Sequence, residues 1–264
     1  MDEVAPAATT RLPDVSTIGV GAPFRWLAGA FSDFRKAPGP CLIYGAILVA
    51  ASVGLAVALY YAGALRWLFA AAAGFFLVAP MLAMGLYRAG WMLEKGEKPG
   101  IGDILIVKSA FRAELLYLGL ALFVIYSIWV EAAHLIYGLS THKFHKTLPA
   151  FVNFMLNEKD GHAMVMTGTL VGGFLAFLAF SVVAVSAPML LTQKTGVFVA
   201  AITSVRTIAA NFLPMLVWAF LIVALTLAGI ATGFLGLILT FPLIGLASWR
   251  AYRDLVPGSS ADLA

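Results

Sequence analysis

Glu131 and His134 stand three positions apart, so on a helix they leave the same face, and Glu-x-x-His is the spacing with which helices feed carboxylate-bridged metal sites. His142 and His145 follow and could add two imidazoles; with His162, all four histidines of the chain lie within 29 residues. A glutamate on an apolar segment is a candidate functional group by default, because charge inside a bilayer is costly. Glu131, His134, His142 and His145 are therefore the candidate ligands of a metal ion or haem. The competing reading is structural. A carboxylate and an imidazole at the watery end of a membrane span cap it, and loop histidines are simply solvated. A two-metal site also needs a second Glu-x-x-His, which this sequence does not contain.

No other cofactor or reaction finds its residues. The sequence offers no nucleophile paired with a base, no glycine-rich phosphate loop and no span carrying two carboxylates. Cys41 is the only cysteine, which excludes an internal disulfide and a thiolate metal cluster. Arg88 and Arg250, beside Tyr87 and Trp249, read as anchors snorkelling to the interface with an aromatic belt.

The elements that must position these residues are set by composition. The chain is 62% apolar and 11% charged, with a mean hydropathy of +0.95, whereas soluble domains carry about 25% charged residues. Uncharged runs reach the roughly 20 residues that cross a bilayer as helix. The fold class is thus all-α, a polytopic membrane protein. Its net charge of +4 and pI near 9.2 are anchoring charge beside anionic lipid at the cytoplasmic face, and no nucleic-acid partner is implied.

Six transmembrane helices are expected. Residues 1–23 read as a disordered cytoplasmic tail and 257–264 as a second one, with a single transmembrane domain over 24–256. Spans fall at about 41–61, 67–87, 115–137 and 163–191. The 38 uncharged residues after Asn211 supply two more, turning near Gly229 and Gly233. The 163–191 span carries Gly168-x-x-x-Gly172, a spacing that lets helix backbones approach. The connection from residue 139 to 161 is long and polar. Lys and Arg number 13 on the side of the termini and 4 on the other, so both termini are expected in the cytoplasm of a bacterium, with the protein in its inner membrane.

Three parallel repeats are legible at about 24–94, 100–194 and 195–254. Each is an interfacial amphipathic helix followed by a transmembrane hairpin. The interfacial helices carry Ser32-x-Phe34-Arg35, Ser109-x-Phe111-Arg112 and Thr203-x-Val205-Arg206. The hairpins end in Ala79-Pro80-Met81-Leu82, Ala187-Pro188-Met189-Leu190 and Phe241-Pro242-Leu243-Ile244, each followed by a basic residue. In the first helix Phe24, Leu27, Phe31 and Phe34 share a face. In the third, Phe198, Ile202, Val205, Ile208 and Phe212 do so opposite Thr203, Arg206, Thr207 and Asn211, a polar face expected to be solvated.

The segments FRKAPGP, APMLAMGLYRAG, TSVRTIAANFLPMLVWA and FPLIGLASWRAYRDLV resemble a family of predicted bacterial integral membrane proteins of unknown function. The likeness runs over residues 25–256, and its C-terminal part is the most specific. Some members carry the label of cytochrome c oxidase subunit, so the resemblance implies a bacterial inner membrane and a respiratory neighbour. A catalytic oxidase subunit needs several mid-membrane histidines on different helices, and this chain has none there. The resulting expectation is a non-catalytic accessory, assembly or scaffold component whose partners are the bilayer and other membrane proteins of a respiratory complex. A channel or transporter, lined by Thr226, Thr232, Thr240, Ser181 and Ser186, is one alternative. A metal- or haem-binding membrane protein is the other.

Overall fold

The computed structural model describes residues 12–64, 79–107, 113–143, 145 and 147–257. Over these the chain is all-α, with eleven helices: α1 (Ala22–Lys36), α2 (Pro38–Tyr61), α3 (Met84–Glu94), α4 (Ile101–Leu105), α5 (Ala113–Ser140), α6 (Leu148–Asn157), α7 (Lys159–Val183), α8 (Ser186–Thr192), α9 (Val197–Ala210), α10 (Phe212–Ala231) and α11 (Leu237–Leu255). Among the described residues four stretches are long and apolar enough to cross a bilayer: Pro38–Tyr61, Ala113–Ser140, Lys159–Thr192 and Phe212–Ala231.

Two of the six expected spans are not among these four. The span at 67–87 lies largely outside the described residues, as do Arg66, Lys108, Ser109, Phe111 and Arg112. The last expected span is α11, whose final turns carry Arg250, Arg253 and Asp254. At 1.5 Å per residue its uncharged part is only about 20 Å long, against a hydrocarbon thickness of about 30 Å.

Instead α11 is the helix around which the others pack. It touches α1, α2, α3 and α10, and Leu246, Ala247, Trp249, Tyr252 and Leu255 are all buried. Small residues permit this approach. A Cβ on Gly245 would come within 2.6 Å of the Leu86 side chain, and Gly45 of α2 lies directly against the Ile238 backbone. Three segments that follow or contain the prolines meet here. After Pro80 comes α3, buried throughout Met84–Leu93 except Arg88; α8, around Pro188, is buried at every residue; and α11 is buried from Phe241 onward at most positions. These three contact one another, while α1 lies on α11, α4 on α3 and α9 on α8.

The amphipathic helix α9 is turned the opposite way from a soluble one. Phe198, Ile202, Val205 and Phe212 are exposed, and Thr203, Ser204, Thr207 and Asn211 are buried. The polar face expected in solvent is the inner face, except that Arg206 is exposed and Ile208 of the apolar face is buried. Lipid is as apolar as any core, so nothing drives the phenylalanines inward, while small hydroxyls pack closely and take backbone partners. The Thr203 hydroxyl donates to Val199 O at 2.7 Å and the Thr207 hydroxyl to Thr203 O at 2.7 Å. Ser204 Oγ accepts the Val185 N–H at 3.1 Å, satisfying the donor left at the break between α7 and α8.

Two further elements differ from the sequence reading. The connection at 139–161 contains α6, which starts at a Thr147 side chain accepting from Ala150 N and has Pro149 in its first turn. From residue 12 onward the N-terminal segment is also tied down. Ser16 N donates to Leu255 O at 2.9 Å; Ile18 N donates to Asn211 Oδ1 at 2.8 Å, and Asn211 Nδ2 returns a bond to Ser16 O at 2.9 Å.

Candidate functional site

Glu131 and His134 sit on one exposed face of α5, as their spacing requires. The two loop histidines are placed differently. His142, just past the end of α5, is exposed and lines an open cavity of about 410 Å³ with Lys143, Phe154, Glu158 and Asp160. His145 is half-buried beneath the loop. Its ring Nδ1 lies 2.9 Å from the Tyr137 hydroxyl, which also accepts the His145 backbone N–H at 3.0 Å. The ring stacks on Phe154 with centroids 4.6 Å apart. His162 Nε2 lies 2.9 Å from Leu156 O. Glu131 and His134 thus share a face of α5, while His142 and His145 belong to the connection that follows it. Among the described residues no three His, Cys, Asp or Glu side chains are grouped to hold a metal ion.

The densest polar arrangement lies at the opposite end, where α1, α3 and α11 meet. Asp33 is buried on α1; its Oδ2 accepts from Arg250 Nε at 2.6 Å and its Oδ1 from Lys36 Nζ at 3.0 Å. Gly29, one turn before Asp33, leaves room for the guanidinium, which a Cβ there would approach to 2.7 Å. Glu94 closes α3 and accepts from Trp249 Nε1 at 3.1 Å and Arg253 Nε at 3.0 Å. Asp254 accepts from Trp26 Nε1 at 3.0 Å, with Arg25 at 3.9 Å. Arg250 is therefore a tie between helices rather than a snorkelling anchor. Arg88 and Lys95 instead lie against the Trp91 ring, 4.5 Å and 4.2 Å from its centroid. No sequence motif marked Asp33 or Glu94; the one available signal was a carboxylate on an otherwise apolar or basic helix.

Four of the five hydroxyls that a transport path would use are taken up locally, while the buried Thr240 Oγ1 has no hydrogen-bond partner among the described residues. Ser181, Ser186 and Thr226 each donate to the carbonyl four residues back, at 2.6–2.8 Å. Thr232 donates to Gly229 O at 2.8 Å and accepts from Gly236 N at 2.7 Å, shaping the turn between α10 and α11.

Long apolar helices joined by buried polar ties place the chain among multi-pass membrane proteins. Residues 68–192 match the DUF2189 family, described as a predicted integral membrane protein. The DUF2189 match spans just under half the chain. It takes in α3 to α8, with the Glu131–His134 face and the 139–161 connection, and leaves out α1, α2 and α9 to α11. The C-terminal segments, where the likeness read from sequence was most specific, lie beyond it. No curated protein and no solved structure gives a match. The chain is an integral membrane protein in contact with lipid, and the DUF2189 description brings no activity with it.

Proposed function

We propose that this chain is a non-catalytic accessory, assembly or scaffold component of the bacterial inner membrane, with both termini cytoplasmic and a respiratory complex as its partner. The observation that carries this reading is the use made of charge on the central helix. Arg250, Arg253 and Asp254, the charged residues of α11, each face an opposite charge on α1 or α3. Charged groups in a transporter line a path and change partners during the cycle; these join helices far apart in sequence and hold them together.

Three parallel repeats complete the proposal. Beyond the recurring motifs, support comes from the packing order. Helix α4 packs on α3, α9 on α8 and α1 on α11, the order that three successive units closing on themselves would have. The long apolar helices outside these ties are left to face lipid and neighbours.

Affinity purification of the full chain in a mild detergent tests the role. Stoichiometric recovery with subunits of one respiratory complex is expected, and recovery of this chain alone under several such detergents contradicts it.

A further inference from the structure

We propose that α1 and α9 hold anionic phospholipid, with Arg35 and Arg206 as the ligands of the lipid phosphate. These arginines close two copies of the recurring motif, Ser32-x-Phe34-Arg35 and Thr203-x-Val205-Arg206, and the ties among α1, α3 and α11 use neither. The copy ending in Arg112 lies outside the described residues. The two copies are not rotated alike, since Phe34 is buried and Val205 exposed. What both keep outside is the arginine. Arg25, Arg250 and Arg253 each face a carboxylate; among the described residues Arg35 and Arg206 face none. The Arg35 guanidinium lies over the Phe31 ring, 4.4 Å from its centroid, a contact that supplies no oxygen acceptor.

Neighbouring residues set the depth. Phe24, Ala28, Phe31 and Arg35 form one exposed stripe on α1, and Phe198, Ile202, Val205 and Arg206 share the exposed face of α9. Arg35 stands within one turn of Pro38, where the α2 span begins, and Arg206 within two turns of Phe212, where the α10 span begins. Both helices lead into the membrane from the same side, because Asn211, between α9 and α10, binds Ser16 O and Ile18 N just ahead of α1. The phenylalanines therefore meet acyl chains while the arginines reach the headgroup layer. A guanidinium there needs an oxygen acceptor, and its planar fork fits a phosphate through two parallel hydrogen bonds. Charge selects anionic over zwitterionic lipid. Helix α9 contains no acidic residue, and the one acid of α1, Asp33, is buried and already paired. The outward faces carry positive charge alone.

The test uses the delipidated full chain in mild detergent, offered phosphatidylglycerol and phosphatidylethanolamine in equal amounts, with bound lipid counted by native mass spectrometry. No respiratory subunit enters this measurement, so its outcome is separate from that of the proposed role. Phosphatidylglycerol should be retained in preference. Arg35→Ala and Arg206→Ala should each lower its apparent affinity about fivefold, and the double variant about 25-fold. Arg206→Lys, which keeps the charge and loses the fork, should fall between wild type and Arg206→Ala. Lys143→Ala removes an equal, exposed charge beyond the far end of α5 and should change nothing. Both arginines are exposed and tie no helices together, so unchanged unfolding temperatures without added lipid check that the variants fold. Equal retention of the two lipids, full retention of phosphatidylglycerol by the double variant, or an equal loss in Lys143→Ala each overturns the proposal.

Discussion

Asp33 on α1 and Arg250 on α11 are 217 positions apart in sequence, and their side chains meet at 2.6 Å. The carboxylate is buried and the guanidinium is partly exposed, with side-chain exposures of 6% and 39%. This contact closes the helices at the two ends of the chain onto each other. It also sets the orientation of α1, whose buried face carries Trp26, Ala30 and Asp33 while Phe24 and Phe31 face outward.

Removing either partner should therefore loosen the α1–α11 contact. Asp33→Ala leaves a guanidinium facing an apolar surface and is expected to cost about 2 kcal/mol, below the 3–5 kcal/mol of a fully buried pair because Arg250 reaches water. Lys36→Ala, which removes only the exposed partner, should cost less than about 0.5 kcal/mol. Thermal unfolding in detergent, followed by tryptophan fluorescence, distinguishes the two. Equal losses would show that Arg250 is not the partner that matters.

Close helix approach makes a second, steric prediction. Gly45→Ala and Gly245→Ala push a methyl group into the Ile238 backbone and the Leu86 side chain, and each should destabilise by about 1–3 kcal/mol through overpacking. Gly54, on the same helix as Gly45, has nothing within 4 Å; Gly54→Ala should be neutral or slightly stabilising, since alanine is the better helix former. Unfolding temperatures of the three variants check the contrast.

Ser204→Ala removes the acceptor for the Val185 N–H at the break in the Lys159–Thr192 stretch. An unsatisfied buried donor costs about 1–3 kcal/mol. Hydrogen exchange at residues 184–186 should accelerate, and Ser204→Thr should restore protection. If exchange there is unchanged in the alanine variant, the serine is not holding the break.

At the 139–161 connection, Tyr137→Phe removes the hydroxyl that holds the His145 ring and backbone. Exchange across residues 141–157 should rise several-fold while the unfolding temperature of the helical core stays within a degree or two, because loops open locally without global unfolding. A large fall in the core transition would contradict the assignment of His145 to local loop structure.

These contacts show what the sequence could and could not convey. Four of the spans were legible because length and lack of charge are sufficient signals for a helix in lipid; α2 and α10 begin within a few residues of where composition places them. The direction of α9 was not legible. A helix with Phe198 and Ile202 on one side and Thr203 and Thr207 on the other looks the same whether water or lipid lies outside, and only the packing partner decides. That Glu131 and His134 share a helix face was readable from spacing alone. Asp33 with Arg250 was not, because nothing local links residues brought together by the whole fold. The helix α6 was missed although Thr147 and Pro149 are start signals, because the surrounding polar residues suggested a loop.

The central claim is that the protein supports a respiratory complex without taking part in its chemistry. Its most direct test compares membranes from strains with and without this chain, measuring both the abundance of each respiratory complex and turnover per unit of that complex. The account predicts that one complex falls in abundance while its remaining copies turn over at the normal rate. Normal abundance with slowed turnover would make this chain part of the chemistry, and no change in either would remove the respiratory partner altogether.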